Sequence, residues 1–144
     1  MTVSVILAHK GRDVVTIDPA ESLAQAIKLL AEKRIGAAIA LGADRRIAGI
    51  ISERDIVRAL TRRGAAALDE TVESVMTHDV HTCDPQETVA RAMAQMTRFR
   101  YRHLPVVERG ELMGIISIGD LVKHRVHEME METGVLRDRV IARS

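Results

Sequence analysis

The stretch Gly49-Ile50-Ile51-Ser52-Glu53-Arg54-Asp55-Ile56-Val57 returns later as Gly114-Ile115-Ile116-Ser117-Ile118-Gly119-Asp120-Leu121-Val122, with the glycine, serine and aspartate each displaced by 65 residues. In both copies two isoleucines suited to a strand run into a serine suited to cap a helix, and an aspartate falls in that helix's first turn. A helix start exposes unpaired N–H groups and positive dipole character, which suits an anion such as phosphate. Ser-x-x-Asp is also close to a capping box, which merely starts a helix. Either copy alone reads as a cap; the extent of the surrounding repetition favours a duplicated site.

That repetition spans most of the chain. Val80-His81-Thr82-Cys83-Asp84-Pro85 matches Val14-Val15-Thr16-Ile17-Asp18-Pro19 at a displacement of 66, and Glu87-Thr88-Val89 matches Glu21-Ser22-Leu23. Leu23, Ala26, Ile27 and Leu30 share a helix face, matched by Ala92, Met93 and Met96. Strands are expected over Ala37–Leu41, Ile47–Ile51, Leu104–Val107 and Leu112–Ile116, and helices over Ser52–Arg63, with Ile56, Val57 and Leu60 inward, and from Ser117 to about Met131. Each repeat reads β-α-β-β-α, too small to bury both faces of its own sheet. The expected fold is therefore α/β (α+β), with two repeats packed sheet to sheet about a pseudo-two-fold axis and sharing one core. The chain divides into residues 1–66, 67–127 and a charged, helix-compatible tail, 128–144, with a break near Thr133-Gly134. Met1–Lys10 reads equally as a short helix or an extended lead-in.

Several function classes are disfavoured. A net charge of +1 gives no overall pull towards nucleic acid or acidic membranes, and Phe99 and Tyr101 are the only aromatic side chains besides histidine. A binding slot would then be lined with aliphatic side chains. No apolar run is long enough to span a bilayer. The single cysteine, Cys83, takes the place of Ile17 and reads as a core residue; without a disulfide partner it suits the reducing cytoplasm. No nucleophile–base arrangement or P-loop indicates catalysis, so the chain is not read as an enzyme. His124-x-x-His127-Glu128 lacks the i, i+4 spacing of a zinc helix, and no metal site is assigned. Arg98 and Arg100 read as solvated surface charges.

Val-x-Thr-x-x-Pro before the first helix, His-Leu-Pro-Val-Val at residues 103–107 and Gly-Ile-Ile-Ser-x-x-Asp at the helix start together resemble a tandem pair of CBS domains, the Bateman module. The resemblance covers about Val5 to Val126. It implies a regulatory module whose clefts between the repeats take adenosine-containing ligands: AMP first, with ADP, ATP, NAD(H) or S-adenosylmethionine as alternatives. By that resemblance Asp120 would hold the ribose diol, Arg102 and His103 the phosphate, and Ser117 with Gly119 would add donors. Thr16, Val80 and Thr82 would wall the adenine. The first repeat keeps Asp55 and Ser52, with Arg54 as a cation, but has Gly36-Ala37 where the second has Arg102-His103. Its cleft is expected to be the weaker one.

The function that follows is a non-catalytic, cytoplasmic adenine-nucleotide sensor, paired as a homodimer and acting on a regulated protein. Val135, Leu136 and Val140 would form an apolar strap across the second copy. The rival reading is a structural or interaction module with vestigial clefts.

Overall fold

Hydroxyl side chains start four of the helices. Ser22, Ser52, Thr71 and Thr88 each accept a hydrogen bond from the backbone N–H three residues on, satisfying one donor that the helix cannot pair itself. The computed structural model describes the backbone of residues 1–143 and the side chains of residues 1–133. A lead-in helix α1 (Val3–Lys10) precedes β1 (Thr16–Ile17), α2 (Leu23–Lys33), β2 (Ala37–Leu41), β3 (Ile47–Ser52) and α3 (Glu53–Arg63). A 3₁₀ helix (Gly64–Asp69) and α4 (Val72–Val75) then lead to α5 (Val89–Phe99), β4 (His103–Glu108), β5 (Glu111–Ser117) and α6 (Ile118–Arg143).

The first sheet is ordered β1-β2-β3, with β1 parallel and β3 antiparallel to β2. In the second repeat β4 pairs antiparallel with β5, and the counterpart of β1 shrinks to one parallel bridge between Cys83 and Val106. Each repeat has its own apolar cluster. Leu23, Leu30, Ile51 and Ile56 lie in the first, and Met96, Leu104, Ile116 and Leu121 in the second. Burying each such side chain is worth about 1.5–3 kcal/mol. The single shared core expected from the sequence is thus two clusters. Ile39 and Pro105 are fully buried although neither belongs to its own repeat's cluster.

The repeats exchange their lead-in segments. The segment at α4 precedes the second repeat but packs on the first: Val72 N–H donates to Glu21 O at 2.8 Å and Glu73 N–H to Pro19 O at 2.9 Å. The start of α1 precedes the first repeat but packs on the second in the same way, with Val3 N–H to Glu87 O at 2.9 Å and Ser4 N–H to Pro85 O at 2.8 Å. Glycines let these segments approach. A Cβ on Gly49 would lie 2.6 Å from Met76 Sδ, and one on Gly114 would lie 2.8 Å from Leu7 Cδ2. Met1–Lys10 therefore forms a helix, because its apolar residues Val3, Ile6 and Leu7 complete the second cluster.

Two further expectations change. Val57 points outward at 61% exposure, whereas Ile56 is buried. The closing helix runs unbroken past Thr133-Gly134, since one glycine costs a helix only about 1 kcal/mol. The side chains of Val135, Leu136 and Val140 lie outside the described residues.

Candidate functional site

Between the repeats, at the start of α3, lies a cavity of about 440 Å³. Its floor is the end of β3 and the capping box of α3. Ser52 Oγ accepts from Asp55 N–H at 3.3 Å, while Asp55 Oδ2 accepts from Ser52 N–H at 3.0 Å and from its hydroxyl at 2.9 Å. The other oxygen, Oδ1, accepts from the Thr77 hydroxyl at 3.1 Å. Asp55 is the one buried charged residue among the described side chains. A carboxylate placed so, with one oxygen held only by a rotatable hydroxyl, can accept from an incoming diol.

The walls are cationic and aromatic. Arg54 and Arg58 stand four residues apart on α3, and Arg100 and Arg102 face them from the approach to β4. Among the described residues none of these four guanidiniums has an ion pair or a side-chain hydrogen bond. Glu53 and Asp79 also line the cavity, which keeps the local charge from being wholly positive. His81 stacks on Phe99 at 5.0 Å between ring centroids and lies 4.7 Å from Tyr101, so three rings form one surface. This surface corrects the expectation of purely aliphatic walls: chain reversal after α5 brings the two aromatics, two residues apart, against His81.

His103 sits where the repeats meet. Its ring lies 3.6 Å from where a Gly36 Cβ would be. Burial, and then the charge of Lys10, hold its pKa below the ordinary 6.5, partly opposed by Asp120 and Glu53. It is neutral at pH 7 and can take a proton beside an anion.

Six sequence candidates line this cavity: Ser52, Arg54, Asp55, Val80, Arg102 and His103. Thr16, Thr82, Ser117, Gly119 and Asp120 are not among its lining residues. The correction concerns pairing. Arg102 and His103 share the cavity with Asp55 of the other repeat, because the start of β4 meets the start of β2, where the His103 ring lies beside Gly36. Thr16 pairs with Ile39 inside the first sheet. Thr77, Arg58, His81, Phe99 and Tyr101 were not among the sequence candidates, and Arg100, read as a solvated surface charge, lines the cavity instead. The spacing of Arg54 and Arg58 on one helix face was a signal; nothing local marked Thr77.

The pseudo-symmetric position at Asp120 is closed by α1. Lys10 Nζ donates to Asp120 Oδ2 at 2.6 Å and to Ile115 O at 2.8 Å. Burial raises the Asp120 pKa, but the Lys10 and Ser117 hydrogen bonds outweigh it and hold the carboxyl below the usual 3.8. Cys83, buried and near Glu87 and Asp84, is pushed up to about 11 and is not a nucleophile at neutral pH. Among the described residues no group of three His, Cys, Asp or Glu side chains can hold a metal, and no helix is long and apolar enough to cross a membrane.

The family described as CBS domain matches the chain twice, over residues 10–62 and 72–127. The mitochondrial CBS domain-containing protein CBSX3 of Arabidopsis thaliana is 33% identical over 141 residues, covering 91% of this chain and 68% of the relative. The crystal structure of the CBS-domain containing protein ATU1752 from Agrobacterium tumefaciens superposes with a TM-score of 0.84 at 45% identity, covering 86% of this chain and 92% of that one. The CBS domain protein PAE2072 from Pyrobaculum aerophilum, solved in complex with AMP, superposes with a TM-score of 0.79 at 30% identity, covering 92% and 99%.

Proposed function

This chain belongs to the CBS-domain family, and from that premise we propose that it is a non-catalytic regulatory module that binds an adenosine nucleotide in the cleft at the start of α3. The observation that carries the reading is the convergence of one buried carboxylate, four arginines without partners and a three-ring surface on a single cavity. Asp55 would accept the ribose diol by exchange with the Thr77 hydroxyl. Arg54, Arg58, Arg100 and Arg102 would take the phosphates, with His103 as a proton-bearing donor, and His81, Phe99 and Tyr101 would face the base. The volume falls within the range usual for small-molecule sites. AMP, ADP, ATP and NAD(H) fit this charge pattern better than S-adenosylmethionine, whose sulfonium would meet guanidiniums. The AMP-bound relative, aligned over nearly the whole chain, supports the same ligand class.

We also propose a homodimer. Ile118, Val122, Val126 and Met129 recur at helical spacing on α6 and are all exposed, an apolar stripe that a second copy can cover about a two-fold axis. Residues 1–66 and 67–127 would then be the two regulatory halves, with 128–144 as the tail. Nucleotide binding would change the affinity for a regulated protein only by its differential affinity for two arrangements of the repeats. Cytoplasmic placement is part of the reading, since a lone buried thiol suits a reducing compartment.

Calorimetry with AMP, ADP, ATP, NADH and S-adenosylmethionine tests the proposal. Saturable binding of the phosphorylated ligands, lost in Arg102→Ala, supports it. No saturable binding by any of the five overturns it and leaves an interaction module with vestigial clefts.

A further inference from the structure

The two lead-in segments obey the same pattern until they reach the clefts, and there they part. Met76 packs over Gly49 as Leu7 packs over Gly114. Beyond Met76 the chain is extended: Thr77 N–H donates to Ile50 O at 2.9 Å, and the Thr77 hydroxyl reaches Asp55. Beyond Leu7, α1 instead continues to Lys10. The Lys10 ammonium alone takes Ile115 O, the counterpart of Ile50 O, and Asp120 Oδ2, the oxygen that also accepts from Ser117 N–H, whereas Thr77 holds the other oxygen of Asp55. One cationic side chain thus does in the second cleft what a backbone N–H and a neutral hydroxyl do in the first.

The consequences for a ligand differ. At Asp55 a ribose hydroxyl replaces another hydroxyl. At Asp120 an ammonium 2.6 Å away already meets the carboxylate's charge, and a diol that uses both carboxylate oxygens would have to displace it. A phosphate at this position would compete with Asp120 for the Lys10 ammonium.

We propose that Lys10 is a built-in occupant of the second cleft, which holds the chain to one nucleotide, bound at Asp55. This rests on the nucleotide reading above. The ligand class that the second cleft excludes is the ribonucleoside, whose diol would need Asp120.

Equilibrium dialysis with AMP and with adenosine tests it. Wild type is expected to bind one AMP per chain. Lys10→Met, which keeps the apolar stem and removes the charge, is expected to bind a second equivalent as adenosine, the form needing no phosphate cation. Lys10→Met/Asp120→Asn should return to one, and Lys10→Arg should stay at one. Two AMP per wild-type chain overturns the proposal without any variant, so it stays refutable even if Lys10→Met folds poorly. One equivalent in a folded Lys10→Met overturns it while leaving the Asp55 site standing. No binding by either protein removes the nucleotide reading and this proposal together.

Discussion

Replacing Asp55 by asparagine separates ligand binding from helix capping. The amide keeps an acceptor for the Ser52 N–H, now 3.0 Å from Oδ2, but loses the charge. Hydrogen bonds to a charged group contribute about 1.5–3 kcal/mol, so losing the charged contact to the ribose diol should weaken AMP about 10- to 150-fold. Weakening the capping box should cost about 1 kcal/mol of stability, seen as a modest fall in melting temperature without ligand. The matching change, Asp120→Asn, removes the Lys10 ion pair, whose side chains are 34% and 24% exposed; after solvent screening that costs about 0.5 kcal/mol. It should leave AMP affinity unchanged. Calorimetry and ligand-free melts on both variants give the readout. If Asp120→Asn loses more affinity than Asp55→Asn, or if Asp55→Asn binds AMP as wild type does, the assignment of the cleft is wrong.

Arg102→Ala should weaken AMP at least tenfold while barely changing adenosine, measured side by side in one titration series. His103 gives a pH signature: its folded pKa lies below 6.5, so the unfolded chain binds more protons between those values, and its contribution to stability is full above 6.5 and declines as pH falls towards the folded pKa. A phosphate beside His103 favours the protonated ring, so AMP affinity should rise as pH drops from 8 towards 6; a flat profile refutes the contact. Gly49→Ala should destabilise by about 1–3 kcal/mol, because its Cβ would fall 2.7 Å from the Thr77 carbonyl, whereas Gly114→Ala meets only a movable Leu7 methyl and should cost less by chemical denaturation. Val122→Glu/Val126→Glu should convert a dimer to a monomer by light scattering with little change in melting temperature, and a wild-type monomer mass at every concentration would exclude the pairing.

The repeat, its element order and the serine caps were legible because they depend on local periodicity and on residues three apart. Ser52 and Asp55 stood out by that same spacing, whereas Arg102, His103 and Val80 were named through the family resemblance; all of these, with Arg54, line the cavity. Their pairing was not legible. Sequence order puts Arg102 and His103 in the repeat of Asp120, and only the meeting of the two sheets carries them to Asp55. The fate of Met1–Lys10 was illegible too, because its helix is stabilised by a cluster about eighty or more residues later in the chain. Val57 misled because an apolar residue beside Ile56 fits the inward face of α3 by pattern, and only packing shows where that face ends.

The difference between the clefts resides less in the repeats than in the segments they exchange. Gly49 and Gly114, Ser52 and Ser117, and Asp55 and Asp120 are alike in type and local geometry. What distinguishes them is the side chain that the opposite repeat's lead-in delivers: Thr77 in one case and Lys10 in the other. Each lead-in is also tied covalently to the repeat it leaves and by backbone hydrogen bonds to the repeat it joins. A ligand that displaces the Thr77 hydroxyl therefore acts on the segment that links the repeats. A change in cleft occupancy then has a direct mechanical route to the relative placement of the two halves, without a relay through either apolar cluster.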